Sequence, residues 1–172
     1  MAALLVASRA DGAAAAWTAY LAPADACAAA TEAGAAPAVQ SRAVACLVNW
    51  ARLQSGRRAL AQPPALRRAS ELKGRIVASC GQFSHTPCGE DVTAGVRAAG
   101  YRFARFGENL FAATWGRVTA RDAVAAWLRS PRHRAILLDP SFRHVGAASV
   151  RAPELLGGQD AVVWTATFAS PS

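Results

Sequence analysis

Three residues of this chain have the types and surroundings to do chemistry together: His85 in Phe83-Ser84-His85, Glu108 in Gly107-Glu108-Asn109, and His133 in Trp127-Leu128-Arg129-Ser130-Pro131-Arg132-His133. An imidazole can carry a proton near neutral pH or ligate a metal. His85 precedes Thr86-Pro87, so it lies in a non-helical segment where its ring could face a cleft. Glu108 stands just ahead of the apolar Leu110-Phe111. A carboxylate entering such a segment must be paired or hydrogen-bonded, and it could orient a histidine, hold a metal or act as a base. His133 is flanked by Arg132 and Arg134, whose charges disfavour an imidazolium and leave a neutral ring suited to metal.

Each residue also has a purely structural reading. His85 could satisfy a surface or core contact, and Glu108 and Asn109 could accept or donate to backbone groups and fix a turn. Trp127 and Leu128 read as core, and His144, beside Arg143, is given no role. No Gly-x-Ser-x-Gly elbow, phosphate-binding loop or His-Glu-x-x-His helix occurs. Ser84 adjoins His85 in sequence, which is not the spatial hydrogen bond that a nucleophile needs.

The elements that must position these residues can be read in order. The apolar set Val44, Leu47, Val48 and Ala51 has helical spacing from Ser41, with Gly56 at the stop. Pro63-Pro64 opens a second helix carrying Leu66, Ala69, Leu72, Ile76 and Val77, which Gly74 weakens without forbidding. A third, shorter helix is expected from Asp91 to Ala99, closed by Gly100. Thr119-Ala120-Arg121-Asp122 has the form of a capping box, and Ser130-Pro131 restarts a short helix through Leu138, with Ser130 able to cap it. Leu110 to Thr114, His144 to Arg151 and Ala161 to Phe168 are strand candidates, the last two separated by a loop with Gly157-Gly158. Helices first and antiparallel strands later imply an α+β fold.

At 172 residues the chain suits one domain able to bury roughly 70% of its unfolded surface. Residues 1–39 read as a leader or signal-like segment and an irregular arm, and residues 40–172 as the folded domain. Met1 to Ala7 resembles the end of a signal h-region and Ala13 to Ala16 a small-residue cleavage site, although no charged n-region precedes them. No stretch has the roughly 18 to 20 apolar residues of a membrane span. Nineteen Lys plus Arg against eleven Asp plus Glu give a formal charge of +8, with Lys73 the sole lysine. That balance favours anionic partners, an anionic lipid or acidic cell-wall polymer among them. The charge is spread without a dense run or a nucleic-acid motif, so no nucleic-acid partner is expected.

Cys27, Cys46, Cys80 and Cys88 form two sequence-local pairs and no CxxC, which argues against a zinc ribbon or redox motif. Four cysteines allow three pairings, and the sequence does not select one. The working expectation is Cys27 with Cys46 and Cys80 with Cys88, since an even count with an export-like start suits an oxidising compartment.

Taken together, Leu47-Val48-Asn49-Trp50-Ala51-Arg52, Phe83-Ser84-His85, Ala99-Gly100-Tyr101, Gly107-Glu108-Asn109, Trp127 to Arg134, and Phe142 with Val145-Gly146 resemble the CAP superfamily. This is the SCP-like group of cysteine-rich secretory, antigen-five and pathogenesis-related proteins, here in its compact bacterial branch. The resemblance implies a three-layer α-β-α sandwich with a small antiparallel sheet, exported to the cell exterior or envelope. It also implies a cleft with two histidines and two acids that can hold a divalent metal, usually zinc. His85 and His133 match the histidines and Glu108 the first acid, while Ser130 stands where many members have the second. No cofactor is required by this reading, and zinc is the group the resemblance implies. The function expected is a secreted, monomeric, largely non-enzymatic binding module for a lipid, sterol, anionic cell-wall polymer or protein partner. The alternative is a zinc-assisted hydrolase or protease in which His85, Glu108 and His133 are the catalytic candidates.

Overall fold

In the computed structural model, residues 17–172 are described; the signal-like segment of residues 1–16 lies outside them. The helices are α1 (Pro37–Gln54), α2 (Pro64–Cys80), α3 (Ala94–Ala98), α4 (Ala120–Arg129) and α5 (Pro131–Leu137), and the strands are β1 (Arg105–Thr114), β2 (His144–Leu156) and β3 (Gln159–Ser170). The strands form one antiparallel sheet in the order β1-β3-β2. Each of α1, α2 and α5 begins with a proline in its first turn, where the missing N–H costs nothing.

Side-chain alternation along central β3 divides the core into two layers. Val162, Trp164, Ala166 and Phe168 pack with the apolar faces of α1 and α4. On the other side Ala169 packs with Leu66, Ala69 and Val96 of α2 and α3, and Ala161 and Val163 pack with Val77. Helices therefore cover both faces of the sheet, which makes the molecule the expected α-β-α sandwich. Burying a side chain such as Phe168 contributes about 1.5–3 kcal/mol.

Two polar residues of α1 fix chain connections. The Asn49 amide donates to the Leu60 carbonyl at 3.0 Å and accepts from the Leu60 N–H at 2.8 Å, next to the bridge that Ala61 makes to His144. The fully buried Arg52 donates to the carbonyls of Arg58, Leu137 and Asp139 at 2.8–3.0 Å, tying the end of α1 to the end of α5.

The structure moves several boundaries. α1 starts at Pro37 rather than Ser41, and α3 is shorter than expected because Asp91 turns back to accept from the Thr93 N–H at 2.9 Å. β1 starts at Arg105 rather than Leu110 and takes in Gly107-Glu108-Asn109, for which a turn was one of the readings; pairing with β3, from Arg105 opposite Ser170 to Thr114 opposite Ala161, outweighs the local turn signal. β2 runs on past Arg151 to Leu156, with a register shift after Ala152. Thr119 and Asp122 do form the capping box. Ser130 begins α5 without a side-chain cap bond; its backbone carbonyl accepts from the Arg134 N–H at 2.9 Å instead.

Candidate functional site

The site forms around β1, an edge strand, so groups from both helical layers can meet at its open side. Alternation sends Glu108 toward the α2 layer, with Thr167 opposite it in register, and Thr167 in turn accepts from the Ser70 hydroxyl of α2 at 2.8 Å. Asn109 points to the other layer, where its amide donates to the His133 carbonyl at 3.0 Å. Asn109 thus braces α5 against β1 rather than closing a turn of its own.

The His85 segment follows α2 and is closed onto its end by the Cys80–Cys88 disulfide, with Cα atoms 5.8 Å apart. Cys27 and Cys46 form the second disulfide, so both expected pairs are present. His85 Nδ1 lies 2.7 Å from Glu108 Oε1. With the proton on Nδ1, the ring donates to the carboxylate and turns Nε2 outward as an acceptor. The Glu108 side chain is 3% exposed and that of His85 51%, so the acid is inside and the imidazole is the part that solvent or a ligand meets.

A residue without an assigned role completes the arrangement. Lys73, on the buried face of α2, places Nζ 3.5 Å from Glu108 Oε1 and donates to the His85 carbonyl. One ammonium therefore holds the backbone of His85 and, through Glu108, its ring. The signal was present in the sequence: the sole lysine falls in line with Leu66, Ala69 and Val77 on the apolar face of a helix.

His133 is half-buried near the start of α5. Desolvation holds its imidazole below the ordinary value of 6.5, with the charge of His85 adding to the effect. Burial and the other histidine, rather than the flanking arginines, are the causes. Between β1, α4 and α5 lies a hollow of about 260 Å³ lined by Leu110, Phe111, Ala126, Trp127, Arg129, Ser130 and His133. Its walls are mainly apolar, with a guanidinium and an imidazole beside them. The Trp127 indole is committed to the Leu110 carbonyl at 3.0 Å, which fixes the wall. His144 belongs elsewhere: on the far edge strand, its Nδ1 meets the Tyr101 hydroxyl at 2.5 Å.

Of the three residues that would hold zinc, Glu108 already has partners within the protein. Catalytic zinc takes three protein ligands, whereas the Glu108 oxygen nearest His85 is engaged by His85 Nδ1 and faced by Lys73. That leaves two imidazoles, with the ammonium beside the acid. Among the described residues no group of three or more His, Cys, Asp or Glu is placed to share an ion.

The comparisons with known proteins agree with this architecture. An extracellular protein containing an SCP domain from Bacillus anthracis superposes with a TM-score of 0.64 at 19% identity, over 77% of this chain and 41% of the other. A cysteine-rich secretory protein from Staphylococcus aureus gives 0.61 at 13% identity, over 78% and 39%. An outer surface protein of Borrelia burgdorferi gives 0.63 at 16% identity, over 77% and 93%. The chain thus spans about two fifths of the length of the first two. Among curated proteins no sequence matches it. The model of the cysteine-rich secretory protein family matches residues 46–168, from the disulfide-bonded Cys46 through His85, Glu108 and His133 to the central strand, and the chain belongs to that family, CAP.

Proposed function

We propose that this protein works outside the cytoplasm as a binding domain rather than an enzyme, and that its ligand is a lipid or similar amphipathic molecule with an anionic group. The observation that carries this reading is the hollow beside His133, where Leu110, Phe111, Ala126 and Trp127 offer apolar surface and Arg129 and His133 offer positive or donating groups. A small concave site of this composition suits an apolar body and one polar head. Two disulfides fit an oxidising compartment, and the surroundings named in the descriptions of the Bacillus and Borrelia proteins are likewise extracellular or outer-surface. The formal charge of +8 draws anionic surfaces toward the molecule.

Hydrolysis using His85, Glu108 and His133 is the weaker reading, because Glu108 is buried and bound to Lys73 and His85 rather than free to take a proton from water. The test is equilibrium binding of a fluorescent long-chain fatty acid and of phosphatidylglycerol vesicles. Saturable binding is expected, with affinity falling at least about tenfold, or about 1.4 kcal/mol, when Ala126→Trp fills the hollow. No binding to either probe, or turnover of an ester or peptide substrate that His85→Ala abolishes, would overturn the proposal. Retention on wall polymer or a protein partner without lipid binding would redirect it to those ligands.

A further inference from the structure

We infer that the Lys73 ammonium is the built-in cation of this site, doing for Glu108 and His85 what a bound divalent metal would otherwise do. The side chains of Lys73 and Glu108 are 4% and 3% exposed. A buried carboxylate without a counter-charge is costly, and so is a buried ammonium. Here each offsets the other at 3.5 Å, while the ammonium also satisfies the His85 carbonyl and Glu108 accepts from the His85 ring at 2.7 Å. His85 is thereby held at backbone and side chain by groups of the chain alone.

The position also explains the residue type. Every other basic side chain of Lys or Arg type in the chain is arginine, yet this site has lysine. A compact ammonium with three freely directed donors can sit between a carboxylate and a carbonyl under a helix, whereas a planar guanidinium needs a wider, flatter space. A divalent ion ligated by Glu108 would be a second cation on a carboxylate that Lys73 already faces at 3.5 Å.

The inference is independent of the ligand proposed above, because it is read on the free protein. Chelator-dialysed protein would be titrated with zinc chloride by calorimetry, and thermal denaturation followed with and without chelator. The wild type should take up no zinc in the micromolar range through His85 and His133, and its Tm should not move with chelator. Glu108→Gln strands a buried ammonium and should lower Tm by about 10 °C. The double variant Lys73→Met/Glu108→Gln, which removes both charges, should then melt higher than Glu108→Gln alone, as coupled neighbours do. The inference is overturned by micromolar or tighter zinc uptake in the wild type that His85→Ala or His133→Ala abolishes. It is equally overturned if the double variant melts no higher than Glu108→Gln. This comparison does not require Lys73→Met to fold by itself.

Discussion

At the scale of single residues, the two histidines of the site sit in different environments. His85 is half exposed and tied to an acid, whereas His133 is half-buried, its charged form opposed by desolvation and by His85. The sign of the pH effect follows. Above the ordinary value of 6.5 the ring is neutral in both folded and unfolded chains and pH has no leverage through it. As pH falls below that value the unfolded chain takes up the proton first, so stability declines until the folded-state value is passed. Tm measured at about pH 7.5 and about pH 5 should therefore drop, and His133→Asn should show a smaller drop. An equal drop in both proteins would mean that His133 is not the group. Asp139, whose carboxylate burial pushes up but hydrogen bonds from Ser141 hold below 3.8, titrates in a lower window. His85, Glu108 and His133 were singled out in the sequence by their types and flanking motifs, and of these the structure joins His85 to Glu108 at 2.7 Å. Lys73 was not read, because its meaning comes from partners that only the fold brings to it, His85 12 positions on and Glu108 on a separate strand, which helical spacing cannot give.

At the scale of elements, the site depends on how closely α2 lies on the sheet. Gly146 of β2 faces the α2 backbone, and a Cβ there would stand 2.0 Å from the Leu66 carbonyl oxygen. Gly74, which the sequence marks as a weak point in the helix, has the same reason from the other side: its Cβ would meet Val150 at 2.7 Å. Helical periodicity shows that α2 exists, and the glycines show only afterwards why it needs them, since close approach is a relation between two elements. The same holds for β1, whose first half reads as a turn until β3 is beside it. Gly146→Ala should cost about 3 kcal/mol or more by overpacking, and because α2 carries both Lys73 and the start of the His85 segment, the His85 ring should shift as well. Urea denaturation and the ring resonances of His85 check the two effects. A variant of wild-type stability would show that α2 can ride outward freely, and the argument for a rigid platform would fail.

At the scale of the whole molecule, the described segment ahead of α1, residues 17–36, is part of the fold. The sequence shows it as an irregular arm, because alanine, glycine and proline without apolar period give no sign of where a chain packs. In the structure Ala22, Cys27 and Ala30 are buried against the main core, and Arg121 at the start of α4 reaches it twice, through its side chain to the Ala22 carbonyl and its backbone N–H to the Ala30 carbonyl, both at 2.9 Å. Cys27–Cys46 joins this arm to α1 across 19 residues. Closing a loop of that length constrains the unfolded chain by about 3 kcal/mol, which for a domain of this size corresponds to a Tm shift of about 6 to 12 °C. Cys27→Ala/Cys46→Ala should show that loss and should open residues 17–36 to limited proteolysis, while Cys80→Ala/Cys88→Ala, which opens a loop of 8, should lose less Tm and expose the His85 segment instead. If both pairs of substitutions gave the same cleavage pattern, the two staples would be acting on one cooperative unit, and the view that one secures the core and the other the site would be wrong.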